Sequence, residues 1–175
     1  MLLTSLAAWK DQALNLVREH IVLAEPIVFL LGFCEGIAFL SLLVPSSVLF
    51  LGIGGMHGAA GGQFWTTWLA GALGAFLGDI ISYLLGRYFK NEIVQVWPLN
   101  RRPEWYAATV AIFRKWGILS ILGGKFLGFM RPFLPVVAGA AHMAWPAFLF
   151  ASALSSLAWS GAFLAPGYGL MALVR

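Results

Sequence analysis

Four charged side chains stand inside two otherwise apolar stretches: Glu35 and Asp79 between residues 26 and 86, Lys125 and Arg131 between residues 116 and 174. A charge placed in hydrocarbon costs roughly 3 kcal/mol on insertion scales, so all four require partners, water or a function. Lys125 and Arg131 lie on either side of Gly128, directly before Pro132, where helix hydrogen bonding must be interrupted. Backbone N–H groups freed at such a break, joined by two cations, make an anion site. An arginine fork suits phosphate oxygens, while lysine acts as a point charge. The plainer alternative is that the two cations neutralise Glu35 and Asp79 or reach towards headgroups. Arg131, set deeper between apolar runs, is the stronger ligand candidate of the two.

Glu35 follows Gly32 and precedes Gly36, which leaves room beside it for a ligand or another backbone. A carboxyl group in apolar surroundings can take up and release protons near neutrality, which makes Glu35 a candidate proton carrier. Its alternative role is a static salt bridge to Lys125 or Arg131, and the two roles are compatible if substrate and carboxylate compete for one cation. Asp79 is a second proton-coupling candidate, although pairing with Arg87 or Arg131 is the simpler account; Arg87 is read as its structural charge partner. Ser46 and Ser47, beside Pro45, and Tyr83 are further candidate contacts for a headgroup. An aromatic near the end of a membrane helix is also an interfacial anchor. His20, His57 and His142 show no metal spacing and are read as solvated or interfacial, so no metal or cofactor is expected. Tryptophan and phenylalanine are assigned to the membrane belt and the core.

These charges need a membrane scaffold to hold them. With 61% hydrophobic and 10% charged residues, the chain lies far from the soluble average of about 25% charged. Its 175 residues allow one domain, a bundle of roughly five to seven membrane-embedded segments. Lys10, Asp11, Arg18 and Glu19 interrupt the early apolar residues, so no cleaved signal peptide is expected. Cys34 is read as a buried small hydrophobe. The net charge of +4 gathers at block edges, in Arg87, Lys90, Arg101, Arg102, Arg114 and Lys115. That placement fits headgroups and orientation, not nucleic acid.

Residues 5–19 read as an amphipathic helix in the interface. Residues 26–62 read as a hairpin of two half-length segments, entering, turning near Pro45 to Ser47, and leaving by the same side; six glycines from Gly52 to Gly62 predict poor helix there. Residues 63–89 form a spanning helix, in which Gly71, Gly74 and Gly78 allow close approach of a neighbour. Residues 91–116 read as an amphipathic surface connector with Trp105, Ile112 and Trp116 on one face. A second re-entrant hairpin over 117–141 and a last spanning helix over 145–172 repeat the order of the first half. The fold class is therefore an all-α polytopic membrane protein built as an inverted repeat, the arrangement of many secondary transporters. Both termini would share one face and the basic connector would occupy the other, cytoplasmic by the positive-inside rule.

The chain resembles the DedA family of bacterial membrane proteins, whose domain is also called VTT or SNARE-associated. The likeness rests on Glu35 ahead of Pro45, on Gly74, Gly78, Asp79, Tyr83, Gly86 and Arg87 in one block, and on Lys125, Arg131, Pro132, Pro135, Gly139 and Met143 in another. It implies a multi-pass protein of the bacterial inner membrane, a flippase for a lipid phosphate, above all undecaprenyl phosphate recycled for cell-envelope synthesis, with proton coupling. By position, Glu35 answers to the family's essential membrane acid and Arg131 to its second essential arginine. Two positions depart from the pattern: Lys125 stands where arginine is usual, and Ser47 where an acid commonly follows the first hairpin's proline. Altered coupling is the expected consequence.

The alternatives are a general phospholipid scramblase, as in eukaryotic relatives of that family, or a membrane lipid phosphatase. The phosphatase needs a nucleophilic histidine oriented by a carboxylate, and no histidine here has suitable spacing. The expectation is thus a transporter, not an enzyme, whose partners are a lipid phosphate, membrane lipids and protons. Small-residue helix faces permit a homodimer.

Overall fold

In the computed structural model, residues 23–38, 40–42, 46–90, 92 and 103–173 are described. The predicted interfacial helix over 5–19, His20 and Pro45 lie outside them. The described residues are helical and contain no strand. Helix α1 covers Ala24–Gly36, α2 Ser46–Ala59, α3 Phe64–Phe89, α4 Pro103–Trp116, α5 Ile118–Gly124, α6 Leu134–Ala140 and α7 Trp145–Leu173, with 3-10 turns at Leu40–Leu42 and Gly128–Phe133. The apolar helices α3 and α7 are long enough to cross a membrane.

The long helices are antiparallel, because the Trp68 indole donates to the Leu157 carbonyl (2.8 Å) while Asp79 accepts from Ser152 (2.6 Å). Helix α1 lies along α3 in the same direction. A β-carbon on Gly32 would overlap the backbone at Gly71, and one on Gly78 that of Phe33 and Gly36. The glycine spacing of α3 thus does what the sequence predicts, bringing two backbones together. Helix α2 lies along α7, with Gly54 against Leu164 and Gly58 against Tyr168. The chain therefore reverses between α1 and α2. In the second half α5 packs on α7 and α6 on α3. In each half the first short helix packs on that half's own long helix, and the second on the long helix of the other half.

One expectation needs correction. The glycine-rich stretch from Gly52 to Gly58 is α-helical, because intimate contact with α7 outweighs the unfavourable propensity of glycine. The apolar face of α4 read from the sequence, Trp105, Ile112 and Trp116, is only partly the one that meets the core, with the Trp105 ring 6.4 Å from that of Phe133. Thr109 is buried, and Tyr106 and Phe113 pack against core clusters, whereas Trp116 is 52% exposed. The core takes the Tyr106, Thr109 and Phe113 stripe, one helical step round from the face of Trp105, Ile112 and Trp116. Cys34 is half-buried.

Two apolar clusters flank the charged region. One joins Tyr83, Ile121, Leu134, Ala138, Phe148 and Ala151, and the other Val28, Phe50, Ala75, Trp159 and Leu164. Asp79 sits one turn from both Ala75 and Tyr83 on α3, so the charges fall at the seam.

Candidate functional site

Every one of the four embedded charges has a partner from another segment. The Arg131 guanidinium, in the 3-10 turn that begins at Gly128, forms an ion pair with Glu35 near the end of α1 and donates to Ser41 Oγ at 3.4 Å. Lys125, at the end of α5, holds Asp79 on α3, with Nζ 2.8 Å from Oδ2 and 2.9 Å from Oδ1. Ser152 on α7 donates to the same carboxylate. Three helices thus meet at Asp79. Asp79, Lys125 and Arg131 line one small cleft with Ile121, Leu134 and Pro135.

The local chain explains these positions. Pro132 removes a helical N–H and its ring opposes α-helix geometry, so α5 cannot continue into α6 and the intervening turn carries Arg131 inward. At the other break Ser82 of α3 accepts from the Ala38 N–H (2.9 Å) and donates to the Gly36 carbonyl (2.8 Å). That exchange satisfies backbone groups at the end of α1 and fixes Glu35 in register with Asp79. The space left by Gly36 is filled by the backbone of α3 at Ala75 and Gly78.

Several sequence expectations meet a different geometry. Asp79 pairs with Lys125 and not with Arg87, which lies about 12 Å along the same helix. Arg87 instead donates to the Tyr83 hydroxyl (2.9 Å), which donates in turn to the Met143 carbonyl (2.6 Å). Tyr83 is fully buried, stacked on Phe148, with its hydroxyl taken up by Arg87 and Met143, so the residue is no interfacial anchor. Lys125 is more deeply buried than Arg131, with side-chain exposures of 7% and 18%. Ser46 and Ser47 open α2, and Ser47 is half-buried there with no hydrogen bond to either ion pair among the described residues. His57 is buried, 3.8 Å from Glu25 at the far end of α2, and not solvated as expected, because Gly62 closes over its ring. His142 is exposed in a turn with φ of 54°.

Sequence reasoning missed Trp159 and Ser152. Trp159 belongs to no membrane belt: it is fully buried, with the Arg131 Cζ 5.8 Å from its ring centroid. The serines at 152, 155, 156 and 160, spaced at helical intervals through an apolar run, were the available signal.

A family profile for the VTT domain matches residues 44–169, from the break before α2 almost to the end of α7. The chain belongs to the VTT-domain family, the DedA membrane proteins. The matched VTT region contains Asp79, Lys125 and Arg131, while Glu35 lies upstream of it. Similar proteins include an uncharacterized membrane protein of Buchnera aphidicola from Schizaphis graminum, 30% identical over 87% of this chain and 61% of the relative. The inner membrane protein YabI of Escherichia coli K12 is also 30% identical, over 87% of this chain and 60% of YabI. The inner membrane protein YghB of the same strain is 28% identical over 94% of this chain and 76% of YghB. This VTT protein spans about three fifths of the length of the Buchnera relative and of YabI. No solved structure matches it.

Proposed function

We propose that this VTT protein is a flippase that carries a lipid phosphate across the bacterial inner membrane and is not an enzyme. The observation that carries the reading is the meeting of two cations and two carboxylates, from both halves of the chain, where the helices break. In this conformation Glu35 and Asp79 occupy the cations. A phosphate headgroup would exchange with them, and its isoprenoid or acyl tail would stay in lipid.

Segment lengths support the membrane arrangement. Helices α1 and α2, of 13 and 14 residues, extend only about 20 Å each, short of a hydrocarbon core of about 30 Å. With the chain reversal between them, α1 and α2 are read as a re-entrant hairpin, and α5 and α6 as its counterpart. The exchange of packing partners between halves is what an inverted repeat requires, with the site at the repeat interface. The names of YabI and YghB support the inner membrane. Undecaprenyl phosphate is the substrate favoured by the family likeness, and protons on Glu35 are the proposed coupling ion. His57 and Glu25 do not favour a phosphatase, since His57 lies two turns beyond Phe50 on α2, with Glu25 of α1 beside it, away from the cations.

The test is headgroup flipping by the purified chain in phosphatidylethanolamine and phosphatidylglycerol vesicles with trace labelled polyprenyl phosphate. Arg131→Ala should abolish it. Flipping at the wild-type rate would refute the assignment.

A further inference from the structure

Among the described residues, Ser155 Oγ, Ser156 Oγ and Trp159 Nε1, close together on α7, are buried without a hydrogen-bond partner, as is Tyr168 Oη further along the helix. Ser155, Ser156 and Trp159 are 2%, 0% and 0% exposed. At about 100° per residue, Ser152, Ser155, Ser156 and Trp159 fall within an arc of about 100° on one helix face. Contacts fix that face at both ends. Ser152 donates to Asp79 in the Lys125 ion pair, and the Trp159 ring lies beside the Arg131 guanidinium of the other pair. These two points are about 10 Å apart along the helix. The unpartnered serines therefore lie between the two ion pairs.

A buried donor without an acceptor is costly, and a group of them on one face has no stabilising explanation. Their chemistry restricts the ligand. The indole N–H only donates, so whatever completes it must bring acceptor oxygens. A cation cannot do so, whereas a phosphate brings several, and charged acceptors give the stronger bonds.

We propose that α7 forms the third wall of the headgroup site, with Trp159 Nε1–H and the Ser155 and Ser156 hydroxyls donating to phosphate oxygens as the headgroup passes between Lys125 and Arg131. This rests on the lipid-phosphate reading given above. The Trp159 ring has a second task. Its face attracts the guanidinium, so Arg131 stays in place while Glu35 is exchanged for phosphate.

The experiment compares binding of a short-chain polyprenyl phosphate and the corresponding neutral polyprenol to the full chain in detergent, by native mass spectrometry. Trp159→Phe keeps an aromatic ring beside Phe50 and Arg131 but removes the N–H; Ser155→Ala/Ser156→Ala removes both hydroxyls with little change in volume. Trp159→Phe should lower the phosphate-to-alcohol preference by about ten-fold, the scale of one hydrogen bond to a charged oxygen, and the serine variant by at least as much, with polyprenol binding reporting that the fold is kept. Should Trp159→Phe fail to fold, the serine variant carries the comparison. Wild-type preference in the variants, with Arg131→Ala still losing it, would overturn the role of α7 and leave the headgroup site standing. Undiminished preference in Arg131→Ala would overturn both.

Discussion

Arg131 is bound by Glu35 across the two halves of the chain, at a point where both are turning away from regular helix. The Glu35 side chain is wholly buried and that of Arg131 is 18% exposed, so neither has bulk water as a substitute partner. Arg131→Met leaves an uncompensated acid and should cost about 3–5 kcal/mol. The double variant Glu35→Gln/Arg131→Met removes both charges and should regain most of that loss. Unfolding of the purified chain in detergent measures the cycle; a double variant as unstable as the single would show that the arginine acts through packing alone.

Asp79 offers a graded comparison, since it accepts from both Lys125 and Ser152. Lys125→Met strands a buried carboxylate and should cost about 3–5 kcal/mol. Ser152→Ala removes one hydrogen bond to a charged group and should cost about 1.5–3 kcal/mol. The order matters more than the values. A serine variant less stable than the lysine variant would mean that Ser152, and not the ion pair, holds α3, α5 and α7 together.

The legible part of this fold was whatever depends on composition over long windows. The spans of α3 and α7, the interruption at Pro132, and the approach made possible by Gly74 and Gly78 all follow from local residue chemistry. The presence of charges that must find partners was legible too. Which acid meets which base was not, because Asp79 could reach Lys125, Arg131 or Arg87 until the rotation of α5 against α3 was fixed. Glycines from Gly52 to Gly58 misled for a related reason: their helical state is decided by α7, distant in sequence. Trp159 was hidden because an indole in an apolar run reads as core unless the cation beside it is seen.

The same glycines separate steric from conformational effects. Gly78 abuts the α1 backbone at Phe33 and Gly36, so Gly78→Val must push α1 away and displace Glu35 from Arg131. Overpacking of this kind costs about 1–3 kcal/mol. Gly52 has nothing within 4 Å of an added β-carbon and lies inside α2. Gly52→Ala should therefore leave stability unchanged or raise it by about 0.5–1 kcal/mol. Thermal unfolding compares them, and a destabilising Gly52→Ala would show that this side of α2 is covered.

Proton coupling, if Glu35 provides it, requires that the buried carboxylate alternate between holding Arg131 and releasing it to the phosphate. A neutral glutamic acid binds the guanidinium less strongly, so wild-type flipping should vary with pH. Glu35→Gln imitates the neutral form at every pH, and its flipping in the same vesicles should lose that variation while remaining measurable. Asp79→Asn is the comparison, because Asp79 keeps its bond from Ser152 when Lys125 turns to the phosphate; its rate should fall with the pH profile unchanged in shape. A Glu35→Gln profile that follows the wild type point by point would make Glu35 a structural counter-ion, and would leave this VTT protein a facilitator driven by the lipid gradient alone.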